Sequence, residues 1–275
     1  MNLKKTGRTV CAAIFMALAS ASASASLIVL DGWQLFTPTG ITTQIGRLNL
    51  VSGTSTVEQE VDGTGNTFVG AHFADFGTIF SLTFTHENVV GAGDIGPPSI
   101  LSDSLTLTFS NVFGRVDALN AGGGFHYVYE SGSFVISGIA GNYAAGSIVG
   151  LGGNESSTAV IGGFHGDSTM LGSIGSILNL QFDLRDSTGV SLKPELVTGD
   201  VFFEAVTNNI TTGVNGVAQC TFKPGATCAS LNVASAGDAY LVRPSSDSTV
   251  PEPASLILVG IGVLALGAAR RRSLK

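Results

Sequence analysis

Ser104-Leu105-Thr106-Leu107-Thr108-Phe109-Ser110 puts Leu105, Leu107 and Phe109 on one parity and Ser or Thr at every position of the other. Successive side chains of a β-strand point to opposite faces, so this alternation describes a strand with one face buried and one in water. Ser81-Leu82-Thr83-Phe84-Thr85 repeats it, and in residues 124–130 the aromatics Phe125, Tyr127 and Tyr129 share a face opposite His126 and Glu130. Further strands are expected over residues 133–137, 177–184, 200–207, 217–222 and 240–243. Turn-forming clusters separate them at residues 91–98, 120–124, 138–142 and 150–154. Many short alternating strands predict an all-β fold, an antiparallel β-sandwich or a related two-sheet fold. The Gly-rich section 138–175 reads either as a loop-rich insertion or as a run of short strands. No amphipathic helix of ordinary length interrupts the pattern.

Both ends differ from this body. Residues 1–8 carry Lys4, Lys5 and Arg8, and are followed by the apolar run 10–19 and the small-residue tract 20–26. A basic, an apolar and a small-residue region in that order make a secretory signal peptide over residues 1–25, with cleavage expected between Ala25 and Ser26 and, as the alternative, after Ala21-Ser22-Ala23. Export through the Sec translocon and processing by signal peptidase follow. At the other end, Pro251-Glu252-Pro253 precedes 14 apolar residues, 256–269, and then Arg270-Arg271-Arg272. The apolar run falls short of the roughly 17–25 residues that span a bilayer comfortably, and the arginines favour the cytoplasmic side. A helix this marginal suits a temporary stop in the inner membrane.

This tail resembles the PEP-CTERM sorting signal of Gram-negative bacteria, on the strength of Pro251, Glu252, Pro253, the Gly-bearing helix with Gly260, Gly262 and Gly267, and the basic stop Arg270, Arg271, Arg272. An ordinary C-terminal membrane tail is the alternative. The resemblance implies recognition by exosortase, a membrane-embedded transpeptidase-like enzyme, at or near the motif. It also implies an association with exopolysaccharide, biofilm and floc. The expected organisation is thus a signal peptide (1–25), a secreted β-rich domain (26–244), a linker (245–250) and a sorting signal (251–275) with a transmembrane helix.

Between residues 26 and 250 only Arg47, Arg115, Arg185, Lys193, Lys223 and Arg243 are basic, against 19 acidic residues, a balance of −13 where the whole chain carries −7. Such a surface repels nucleic acid and offers no basic patch. Cys220 and Cys228, eight positions apart around Pro224-Gly225, are expected to form a disulfide in an oxidising compartment, on a clipped hairpin.

Chemistry is harder to find. Gly166-Asp167-Ser168 resembles the nucleophile block of GDS-type esterases, but no histidine follows His165 to act as base, and no α/β pattern holds the serine. The four histidines form no chelating motif, and His72 with Asp75 reads as a polar surface pair. A carboxylate couple such as Glu130 and Glu204 is not specified by sequence alone. No catalytic or metal site is therefore expected. No cofactor is expected either, although the acids of residues 58–62 and 183–186 could bind structural Ca²⁺. Trp33, the sole tryptophan, is the candidate sugar contact, whereas the Phe125, Tyr127, Tyr129 face is expected in the core.

The functional expectation is a non-catalytic exported protein of the cell surface or extracellular matrix, transiently membrane-anchored, supporting adhesion, biofilm or floc formation with exopolysaccharide. A secreted carbohydrate-binding module is the alternative, and a secreted hydrolase the weaker one.

Overall fold

In a computed structural model, the structure describes residues 27–86, 104–163 and 165–245. The chain is all-β and antiparallel. Its strands are β1 (Leu27–Val29), β2 (Trp33–Thr37), β3 (Gly40–Glu60), β4 (His72–Asp75), β5 (Thr78–His86), β6 (Thr106–Leu119) and β7 (Phe125–Gly138). They continue as β8 (Gly141–Gly150), β9 (Gly152–Glu155), β10 (His165–Ile177), β11 (Asp183–Arg185), β12 (Phe202–Gln219) and β13 (Thr227–Pro244). Residues 29–243 form one compact unit.

The sheet closes on itself. β13 pairs with β12 on one side and with β3 on the other, from Cys228 opposite Glu60 to Ala239 opposite Leu48. From β12 the ring runs through β10, β8, β7, β6 and β5 back to β3. Farther along the strands, β9 replaces β8 between β10 and β7, and β4 replaces β5 between β3 and β6. Closure pairs the long strands on both sides and leaves the short β1 and β11 as the ends of the strand path.

Strand parity explains the two cores. A strand keeps one parity inward only while its register is unbroken. In β3, Ser52 has φ 56°, and the pairing with β5 jumps between Val51 and Thr54. The inward positions change there from Leu48 and Leu50 to Gly53, Val57 and Gln59. In β6, Asn111 has φ 51°, and inward Leu107 and Phe109 give way to Val112 and Val116. β7 shifts opposite this point, so that Phe125 and Tyr127 are inward before it and Phe134 and Ile136 after. Such bulges bend and twist the strand that carries them.

One buried cluster, on the Phe134 side, includes Trp33, Leu50, Phe80, Phe109, Phe134, Ile174, Phe203 and Leu241. The other, on the Phe125 side, includes Phe73, Val116, Phe125, Tyr127, Leu231 and Val233. Inward glycines make room for the rings. A Cβ on Gly53 would lie 2.2 Å from the Phe80 ring, and one on Gly146 would lie 2.4 Å from that of Phe134.

The differences from the sequence reading have local causes. Section 138–175 is a run of strands, β8 to β10, broken only briefly. Residues 177–184 are not one strand: β10 ends at Ile177, and an Asx turn follows, with the Gln181 N–H donating to Asn179 Oδ1 at 2.9 Å. The strand expected over residues 217–222 stops at Gln219, where the disulfide-closed turn begins. Residues 133–137 continue the strand of 124–130 across the register shift. A single helical turn, α1 (Lys193–Thr198), starts with Pro194 and ends on Gly199 at φ 80°, burying Leu196 in the larger core.

Candidate functional site: an interior polar cavity

A cavity of about 70 Å³ lies inside the closed sheet, between the two cores. Phe109 and Val112, on either side of the β6 bulge, both line it. So do residues of β3, β4, β5, β7, β9, β10, β12 and β13, which makes it a product of ring closure and not of any one loop. Part of its wall is apolar, with Val57, Phe73, Phe80, Phe125, Met170 and Val233. The rest is unusually polar for a protein interior: Ser55, Gln59, Asp75, Thr78, Tyr127, Tyr129, Glu155, Ser168, Thr207, Asn209 and Ser235.

Buried polar groups are ordinarily hydrogen-bonded, and most of these are. Ser168 Oγ and Thr207 Oγ1 are 2.6 Å apart, Asn209 Nδ2 donates to Ser168 Oγ at 3.2 Å, and Ser235 Oγ donates to Asn209 Oδ1 at 2.7 Å. Gln59 Nε2 donates to Thr67 Oγ1 at 3.0 Å. Asp75 accepts from Thr78 Oγ1 at 2.7 Å and from the Gly77 N–H at 3.0 Å. Burial still pushes its carboxyl above the ordinary range, against the bonds from Thr78, Gly77 and Ser55.

Glu155 is the exception. It is 5 % exposed, and its Oε2 has no hydrogen-bond partner among the described residues. Burial first, and then the charge of Asp167, push its pKa up to about 8, although a hydrogen bond from Tyr127 pulls the other way. Register places it. Phe125 pairs with Glu155 and Tyr127 with Gly153, so both β9 positions share the inward face of β7. On the other flank Glu155 faces Gly166 and Gly153 faces Ser168. A Cβ on Gly166 would lie 2.4 Å from Glu155 Oε2, and one on Gly153 would lie 2.6 Å from the Tyr127 hydroxyl. Glycine at both positions leaves the space that the carboxyl and the phenol occupy. Phe73, Tyr127 and Tyr129 stack edge to face, with centroids 5.3 to 5.8 Å apart. Burial raises the Tyr129 hydroxyl to about 12 and holds Tyr127 well above its ordinary value, so both act as neutral hydrogen-bonding groups at any ordinary pH. Among the described residues no Lys, Arg or His lines the cavity.

The residues singled out by sequence fall as follows. The Cys220–Cys228 disulfide is present, with Cα atoms 4.9 Å apart, closing the turn between β12 and β13. Trp33 is completely buried in the larger core, which corrects its reading as a sugar contact: an aromatic platform must be exposed. Phe125 and Tyr127 are buried as expected, and the Tyr129 ring packs against them. His72 and Asp75 do not pair. They fall on opposite faces of β4, His72 with Glu60 at 3.4 Å and Asp75 at the cavity.

Ser168 is buried and bonded to Thr207 and Asn209, with no histidine among its partners. Glu130 pairs with Arg115 at 2.8 Å on the outer face, and its strand is separated from that of Glu204 by β8 and β10. The acids weighed for calcium have protein partners. Asp62 Oδ1 accepts from Thr64 and Asn66, and Asp186 Oδ1 from Thr188 and Val190. Glu60 is bound by Lys223 and Asp183 by Arg185. Ala25, Ser26, Pro251, Glu252, Pro253 and Arg270, Arg271, Arg272 lie outside the described residues.

Sequence reasoning missed the cavity. The available signal was polar residues continuing an inward parity, such as Thr207 and Asn209 after Phe203 and Ala205.

Fold and site together define an antiparallel β protein whose sheet closes around a polar, acid-lined cavity. Residues 249–272 match the family model described as the PEP-CTERM protein-sorting motif. The chain is thus a PEP-CTERM-containing protein, and the motif implies export, sorting through exosortase and transient membrane anchoring. No curated protein and no solved structure matches the chain.

Proposed function

We propose that the exported body works without catalysis at the cell surface or in the extracellular matrix, where it supports adhesion, biofilm or floc formation together with exopolysaccharide. The observation that carries this reading is the sorting motif at residues 249–272, which belongs to a delivery system for exported proteins. The body suits the role: a sheet whose long strands close into a ring, leaving only the short β1 and β11 at its ends and clipped by a disulfide, resists unfolding outside the cell. Burial of Trp33 counts against a carbohydrate-binding module built on that residue. The partners of Ser168 count against a serine hydrolase.

The test compares cell aggregation and matrix retention in a strain lacking the gene, complemented with the full chain or with a chain ending at Val250. Loss of aggregation restored only by the full chain is the expected result. Unchanged aggregation in the deletion strain would remove the matrix role.

A further inference from the structure

We propose that the interior cavity binds a small organic ammonium group, with Glu155 as its counter-ion and the aromatic wall around it. Three independent observations converge. First, Glu155 Oε2 is buried without a hydrogen-bond partner among the described residues, and Glu155 lines the cavity. A buried polar atom left unpaired costs stability, and an ammonium N–H donor removes that deficit. Second, among the described residues the lining holds two carboxyl groups, Asp75 and Glu155, and no basic side chain. An anion finds no basic partner there, and once a carboxyl ionises a cation is the counter-ion that the described residues do not supply. Third, Phe73, Phe125, Tyr127 and Tyr129 line the same space, and aromatic rings attract organic cations. Size suits the class: about 70 Å³ admits a headgroup of a few heavy atoms.

Binding is coupled to a proton. Below its pKa the Glu155 carboxyl is neutral, so the bound state forms when the carboxyl gives its proton to solvent and the carboxylate pairs with the incoming ammonium. The ammonium itself stays protonated and no covalent bond changes. The titratable groups facing Glu155 are Tyr127 and Tyr129 from β7, Asp167 from β10 and, at the same cavity, Asp75 from β4. None of them supplies a positive charge that would substitute for the ligand.

The experiment uses the full chain in detergent and methylammonium chloride as probe, followed by saturation-transfer NMR on the probe's methyl signal. Methanol, glycerol and calcium chloride are the comparison probes. A two-heavy-atom ligand binds at best on the order of 10 mM, so saturation is sought in that range. The expected result is saturable methylammonium binding, none by methanol, and at least tenfold weaker binding in Glu155→Gln. The outer-face variant Glu204→Gln should bind as wild type does. If Glu155→Gln fails to fold, the wild-type titration decides, because binding at pH 6 should be at least tenfold weaker than at pH 9. The proposal is overturned by absence of saturable methylammonium binding, by equal affinity in Glu155→Gln, by equal affinity at the two pH values, or by glycerol or calcium occupying the cavity in place of methylammonium. Binding by the purified protein is independent of aggregation in cells, so failure of either reading is visible on its own.

Discussion

Replacing Glu155 with Gln should stabilise the protein progressively as pH rises. The ordinary value for this carboxyl is 4.5, and the folded state pushes it up to about 8. Below pH 4.5 the group is protonated whether the chain is folded or not, and it contributes nothing. Between the two values the unfolded chain gives up a proton that the folded chain keeps, so folding loses stability at about 1.4 kcal/mol per pH unit. Above pH 8 the carboxylate is charged in both states and the penalty is constant. Integrated over the shift, it is about 1 kcal/mol at pH 5, about 3 at pH 7 and about 5 at pH 9.

Gln has nearly the same shape and does not titrate, so the variant lacks the penalty. The buried amide brings its own cost of about 1–3 kcal/mol if it finds no partner, but that cost is independent of pH. Circular-dichroism melts of both proteins at pH 5, 7 and 9 should therefore diverge by about 4 kcal/mol across the series. For a body of this size that corresponds to roughly 8–16 °C in Tm. Contributions from Asp75 and the other acids are common to both proteins and cancel. Melting curves that stay parallel from pH 5 to pH 9 would refute the burial of this carboxyl.

Three further outcomes follow from the packing. Changing Cys220 and Cys228 to Ser releases a loop of eight residues' separation, which the chain-entropy relation values at about 2.5 kcal/mol; thermal melts of oxidised wild type and variant measure it. Phe134→Ala removes a ring packed between Phe109 and Phe203, at 6.1 and 6.3 Å between centroids, and should cost about 3–5 kcal/mol in urea unfolding. Lys223→Met removes a partner of Glu60. Burial alone would raise that carboxyl, but hydrogen bonds from Lys223 and the His72 amide, with the Lys223 charge, outweigh it and hold the group below 4.5. Its stabilisation is present above pH 4.5 and lost as pH falls through the depressed value, so wild type should exceed the variant at neutral pH and converge with it in acid.

Fold class was legible because Leu105, Leu107 and Phe109 alternate cleanly with Ser and Thr, and one buried face is all that such a pattern needs. Strand length was not. β7 reads as two segments, since Phe125 and Tyr127 occupy odd positions and Phe134 and Ile136 even ones. A bulge is a change of parity, and alternation alone cannot distinguish that from a turn. Ring closure was equally hidden, because β3 meets β13 across more than 160 residues of sequence and nothing local in Gly40–Glu60 announces that pairing. The disulfide was readable from spacing and compartment.

Most of the cavity was not legible. Its polar residues were visible individually, and Ser168 and Asp75 attracted notice for other reasons. What gathers them is inward parity on eight different strands. Trp33 shows the converse: its chemistry suits a sugar platform, but its inward position on β2 sends it to the core.

The most direct test of the account is where the full chain resides in cells with and without exosortase. An epitope inserted in the exposed turn at residues 121–123 allows the protein to be followed through fractionation of inner membrane, envelope and matrix. The account predicts that the chain reaches the matrix fraction when exosortase is present and stays with the inner membrane when it is absent. The same distribution in both strains would contradict sorting through the tail.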